Sequence, residues 1–222
     1  MTRRQETSRH QEPASPERLL AFSDAVVAIA MTLLILPLME SVGAVAAEHG
    51  TVSNWFASEG GSLFGFVLSF GLIAQFWTSH HAMFRQVTHL DRGLVWLTIG
   101  WLFSIVWMPV STALTAQLPA DRPNLAVYIG SLFVTSAILA ATRWYLVAHP
   151  ALHGETMRYA RSAAISGTIV AGLFFVALGL ALLLQPALGS SAYFALFVLF
   201  LAGPLGRIVK RRLGTAKEDP AD

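Results

Sequence analysis

Arg18, Ser23 and Asp24 are three polar side chains at the head of an otherwise apolar segment, ERLLAFSDAVVAIAMTLLILPL (17–38). A charge in or just beneath the hydrocarbon of a membrane is costly and normally pairs within the protein or lines a wet path. Such a cluster is a structural clamp, a cation site or a proton relay. Arg18 and Asp24 are six residues apart, about 240° around a helix, so they cannot pair along one face and each needs a partner from elsewhere. Candidates stand at the end of the next apolar block, Gln75-Phe76-Trp77-Thr78-Ser79-His80-His81, and at Asp91-Arg92 beyond it. A network of Ser23, Asp24 and one of His80 and His81 is geometrically reasonable, and a histidine titrating near neutrality would make it pH-sensitive. Metal binding by the histidine pair is disfavoured, because neighbours on a helix diverge by about 100° and no His-Glu-x-x-His or Cys/His spacing is present. His10, His49, His89, His149 and His153 fall in tails, loops or helix ends. Gly-x-Ser-x-Gly, P-loop and Rossmann patterns are absent, as is a second membrane-embedded aspartate for an aspartyl protease. The chain does not read as an enzyme, and no cofactor is implied.

The elements that must position these groups are membrane helices. Of 222 residues, 55% are hydrophobic and 13% charged, with mean hydropathy +0.57; a soluble domain carries about 25% charged residues. With no cysteine, disulfides and thiolate metal sites are excluded. Apolar blocks at 18–38, 62–79, 94–114, 125–146, 163–184 and 191–208 each approach the ~20 residues that cross a bilayer. They predict an all-α integral membrane protein of six spans with no soluble domain. A flexible polar tail (1–16) precedes the membrane domain (17–208), and a basic tail (209–222) follows it. Ser15-Pro16-Glu17 reads as the helix start and Pro37 as the end of the first span, with a loop at 40–60 that has three glutamates and no Lys or Arg. Pro109 marks a kink in the third span.

Fourteen of the fifteen Lys and Arg residues fall on one side of this topology, with Arg122 alone on the other. Both termini are therefore expected in the cytoplasm. The sequence pI near 9.3 is then a positive-inside signature, and nucleic-acid binding is not indicated. Ala44-Val45-Ala46-Ala47 after an apolar run resembles a signal-peptidase site. The leader's glutamates, Asp24 and the length of the run argue that the segment is retained.

The dry part of the first span carries a second kind of chemistry. Asp24, Ala28, Met31, Ile35 and Leu38 recur at 4, 3, 4 and 3, a stripe able to face a symmetry axis. Rings of Met31, Ile35 and Leu38 would make a constriction that gates by dewetting. Ordinary helix packing explains the same stripe, since every face of the segment is apolar.

Arg18-x-x-x-Phe22-Ser23-Asp24 followed by AVVAIAMTLLILPL resembles the signature of the transmembrane-protein-175 family, potassium channels of lysosomes and their bacterial relatives. FWTSHHAMFRQVTHLDRGLVWLTIGWLFSIVWMPVSTAL (76–114) is similar to that family's second and third helices, and the two stretches cover about a quarter of the chain. The resemblance implies a multi-pass channel subunit of a bacterial plasma membrane, without a glycine-tyrosine-glycine filter and with potassium as the permeant ion. It implies a homotetramer of six-helix chains around one pore lined by the first helix. The constriction then falls on Met31, Ile35 and Leu38. A network at the cytoplasmic end falls on Arg18, Phe22, Ser23 and Asp24, with Trp77 and His80 or His81. This chain departs from the family pattern with Ala25 for a common glycine, Pro37 where an acid is frequent, Met31 for a branched aliphatic and Thr98 for asparagine. A proton-coupled transporter using Asp24 and the second span's histidines is the alternative of a different class.

Overall fold

The computed structural model describes residues 15–153 and 160–188. Among them every regular element is helical: α1 (Pro16–Leu33), α2 (Leu36–Ala47), α3 (Val52–Phe84), α4 (Arg92–Gln117), α5 (Arg122–Ala148) and α6 (Ala160–Leu188), with a short 3-10 turn at Pro150–Leu152. Five stretches are long and apolar enough to cross a membrane, α1 and α2 together forming the first. The expected sixth span at 191–208 and the tail at 209–222 lie outside the described residues, as does nearly all of the amino-terminal tail.

The amino-terminal boundary follows the local chemistry. Ser15 Oγ accepts the Arg18 backbone N–H at 3.3 Å, and Pro16 takes the first helical position, where its missing N–H costs nothing. The other end of this span differs from the expectation. Pro37 does not end it: the helix breaks at Leu34-Ile35 and restarts with Pro37 in the first turn of α2. Pro37 has no N–H for the Leu33 carbonyl and its ring crowds that oxygen. The turn is interrupted there, and the apolar chain beyond resumes as helix.

The loop expected at 40–60 contracts to Glu48–Thr51. α2 closes with His49 at φ 55°, the Gly50 N–H on the Val45 carbonyl (3.0 Å) and the His49 N–H on that of Ala46 (3.1 Å), a Schellman end. A Cβ on Gly50 would lie 2.5 Å from Val45 Cγ1, so glycine is required. α3 then starts at Val52, capped by Thr51, ten residues before the expected second span. The helix runs uninterrupted through Pro109 in α4.

α4 lies at the centre of the bundle. Its Leu94, Trp101, Ile105 and Met108 are buried in one core with Val27 of α1 and Leu34 just beyond it, Ile73 and Phe76 of α3 and Leu125, Ile129 and Leu132 of α5. α6 packs on α5, and α1 on α4 and α3, so α1 occupies one margin of the protomer. Because lipid is as apolar as leucine, close packing and interhelical hydrogen bonds, at ~0.6 kcal/mol each, hold such helices together. Ser69 Oγ joins three of them, bonded to Thr112 Oγ1 (2.9 Å) and Tyr128 Oη (3.0 Å). Asn124 Nδ2 donates toward the carbonyls of Leu114, Leu118 and Pro119 at 3.0–3.3 Å, covering the otherwise open end of α4.

Candidate functional site

Asp24 lies two turns into α1, half-buried, against the carboxy-terminal half of α3. Trp77 Nε1–H donates to its Oδ1 at 2.7 Å, and His81 Nδ1 meets the same oxygen at 3.4 Å. Trp77 and His81 are four residues apart, so one face of α3 presents both to α1, and their rings lie 5.5 Å apart. Among the described residues this is the one contact between a carboxylate and a basic side chain. It fastens α1 to α3 by a charge-assisted bond.

The two histidines have different fates. His81 joins Asp24. His80, one residue and about 100° away, is 1% exposed and stacks on Trp101 at 4.0 Å and 1° and on Phe84 at 4.4 Å. Among the described residues neither of its ring nitrogens nor the Trp101 indole N–H has a hydrogen-bond partner. Ser23 is fully buried but donates to the Leu19 carbonyl of its own helix at 2.8 Å. The Arg18 guanidinium has no side-chain partner among the described residues, and Phe22 is exposed. Within a protomer the network is thus Asp24, Trp77 and His81. Arg18, Phe22 and His80 stand apart from it because helical phase turns each away from that oxygen.

The proposed ring stripe divides as well. Ile35 is 37% exposed, Leu38 only 4%, and Met31 packs against the core. The break at Leu34-Ile35 shifts the helical phase, so Leu38 turns inward to the protomer. Among the residues that α1 and α2 direct outward, Ile29 (61% exposed), Leu33 (40%) and Leu36 (48%) follow one another along the dry segment, with Ala25 and Ala28 beneath them and Thr32 and Met39 also exposed. Composition alone gave no means of finding this face, because both faces of the helix are apolar.

A second tie went unrecognised in the sequence. Asp91 caps α4, accepting the Leu94 N–H at 2.8 Å, and also accepts the Tyr145 hydroxyl of α5. Gly93 makes room, since a Cβ there would lie 2.2 Å from Tyr145 Oη. Desolvation works against the Asp91 charge, but the Tyr145 hydroxyl, the Leu94 N–H and the nearby His149 outweigh it and hold the carboxyl below the usual aspartate value. The cap is readable from Asp91 standing before an apolar run. Tyr145, 54 residues away, is not.

Helices long enough to span a membrane, tied to one another through the carboxylates of Asp24 and Asp91, make a membrane-embedded bundle. The comparisons agree. A family model described as "Endosomal/lysosomal potassium channel TMEM175" matches residues 18–109. A protein named as a potassium channel from Streptomyces collinus is 33% identical over 181 residues, 74% of this chain and 85% of its own. TMEM175 of Gallus gallus, named as an endosomal/lysosomal proton channel, is 35% identical over 118 residues, 51% of this chain but 24% of its own length. The crystal structure of a lysosomal potassium-selective channel TMEM175 homologue from Chamaesiphon minutus has a similar fold, at TM-score 0.63 and 24% identity, covering 87% of this chain and 96% of that one. The chain is a multi-pass membrane protein that belongs to the TMEM175 family of channels.

Proposed function

We propose that the protein is a potassium-permeable channel of a bacterial plasma membrane, formed by four copies around a pore lined by α1. The observation that carries this is the outward stripe of Ile29 and Leu33 on α1, continued by Leu36 at the start of α2, at the protomer's margin. α1 packs on α3 and α4 with its other side outward, so a path along that side arises where copies meet. Stacked aliphatic rings make a constriction that conducts when wet and closes by dewetting. On this reading the constriction is built from Ile29, Leu33 and Leu36, with Ile35 at its edge, in place of Met31 and Leu38. Assembly only adds burial, so a side chain already enclosed in its own protomer does not reach an axis. The Asp24–Trp77–His81 tie fixes the base of α1 and so the register of the rings. Potassium as the permeant ion is supported by the bacterial relatives' names.

A proton path through Asp24 and His81 is the second reading, favoured by their 3.4 Å contact and by the names of the vertebrate relatives. Flux from proteoliposomes under separate potassium, sodium and proton gradients decides. Potassium flux that follows the membrane potential without a proton gradient, and persists in Asp24→Asn, is the channel outcome. Flux that requires a proton gradient and vanishes in Asp24→Asn replaces it with the relay.

A further inference from the structure

Away from the α1–α3 tie, a crevice of about 260 Å³ opens between α3, α5 and α6. Leu139, Val170 and Phe174 make its apolar wall, and Gln75, Ser79 and Arg143 its polar end. Arg143 is half-buried with no carboxylate in the lining and no ion-pair or hydrogen-bond partner among the described residues. Its place is nonetheless shaped for it: a Cβ on Gly167 would lie 2.6 Å from Arg143 Nη1 and 3.3 Å from Cδ, so α6 has a gap where the guanidinium passes.

The depth of the charge identifies its counter-ion. Arg143 is five residues before the end of α5 and Ser79 five before the end of α3, each about 7–8 Å inside its helix terminus. Those termini share one end of the bundle, because Asp91 at the start of α4 meets Tyr145 of α5 and the Thr88 N–H bonds the Leu152 carbonyl at 2.8 Å. The same end carries Arg85, Arg92 and Arg161, the side that the basic residues mark as cytoplasmic. A guanidinium at that depth sits near the headgroup boundary, with an apolar trough running from it toward the bilayer centre. An unpaired charge there is expensive unless an anion joins it, and guanidinium grips phosphate bidentately.

We infer that this crevice binds an anionic phospholipid of the inner leaflet, its phosphate on Arg143 with Gln75 and Ser79 beside it and an acyl chain along Leu139, Val170 and Phe174. Basic pockets between membrane helices on the cytoplasmic side recognise lipid headgroups in this way. The zwitterionic phosphatidylcholine offers the same phosphate together with a fixed positive charge, which Arg143 disfavours.

Native mass spectrometry of the full-length protein in detergent, titrated with phosphatidylglycerol or with phosphatidylcholine of the same acyl chains, tests this. Wild type is expected to hold one phosphatidylglycerol per chain in preference to phosphatidylcholine. Arg143→Gln loses at least about tenfold in that affinity, and the exposed control Arg161→Gln stays within about twofold. Arg143→Lys, for use if the glutamine variant does not fold, keeps the headgroup preference at reduced affinity. Val170→Trp fills the trough and lowers binding with the charge intact. Equal affinity for the two lipids, or unchanged phosphatidylglycerol binding in Arg143→Gln, overturns the inference. Displacement of the lipid by millimolar inorganic phosphate overturns it in favour of a simple anion site. Lipid binding to separated protomers but not to the assembled protein overturns it in favour of a contact between copies.

Discussion

Neighbouring histidines at the end of α3 make opposite demands on the protein. His81 contributes a ring nitrogen to Asp24, whereas His80 is enclosed between Trp101 and Phe84 with neither nitrogen paired among the described residues. A buried polar atom without a partner costs about 1–3 kcal/mol. His80→Phe keeps the aromatic stack and removes that penalty, so its melting temperature in detergent is expected at or above wild type, by the equivalent of up to about 1 kcal/mol. Trp77→Phe deletes the 2.7 Å bond to Asp24 and should cost about 1.5–3 kcal/mol, the range for a hydrogen bond to a charged group. A marked loss for His80→Phe with none for Trp77→Phe would mean that His80 makes a polar contact the stack does not explain and that the Trp77–Asp24 bond contributes nothing. The pairing His80-His81 is visible in the sequence, but the choice between them is not. Both stand on one apolar helix, and only the rotation of α3 against α1 separates a ligand of Asp24 from a core ring.

At the scale of elements, Asp91 and Tyr145 join the start of α4 to the end of α5, with Gly93 as the gap between them. The Asp91 carboxyl is held below its ordinary value, so the folded state binds its proton less readily than the unfolded chain. Its contribution to stability is therefore fully present above the unfolded aspartate value of about 3.9 and is lost as pH falls through the lower folded value. Melting curves from neutral pH down through the carboxylate range should show this acid-side loss in wild type and a flatter profile in Asp91→Asn. An equally steep loss in the variant would move its origin to another carboxylate. Gly93→Ala places a methyl against the Tyr145 hydroxyl and should cost about 1–3 kcal/mol, recovered in part when combined with Tyr145→Phe. The five spans among the described residues were legible because runs of about 20 apolar residues admit little but helix. Their ends were less so. Pro37 was expected to stop a helix that it only breaks, because proline is harmless in a first turn and the chain beyond is still apolar. The glutamates at 40–60 suggested a loop, yet α2 and α3 carry Glu40 and Glu59 on exposed or half-buried positions near the expected membrane boundary.

For the whole molecule, the position of α1 decides what the protein can become in a membrane. A helix at the margin with an aliphatic outward stripe needs either lipid or further copies against it. A heptad-like period selected Met31, Ile35 and Leu38, but in a helix apolar on all sides that period has no unique phase. The break at Leu34-Ile35 shifts the phase further, directing Leu38 inward and leaving Ile29, Leu33 and Leu36 outward. The two registers separate by experiment, because they assign stability and conduction to different residues. Leu38→Ala removes a side chain only 4% exposed and should cost about 2–5 kcal/mol, while flux per folded channel stays near wild type. Leu33→Ala removes an outward side chain, should move stability by no more than about 0.5 kcal/mol, and should raise potassium flux by widening the dry segment. Ile29→Asn, which makes a ring wettable without narrowing it, should raise flux further at low driving voltage. Paired melting and proteoliposome flux measurements on the three variants read both quantities. Raised flux in Leu38→Ala with unchanged flux in Leu33→Ala would return the constriction to the Met31 register and require α1 to rotate on assembly. Unchanged flux in all three would place the path away from α1 altogether.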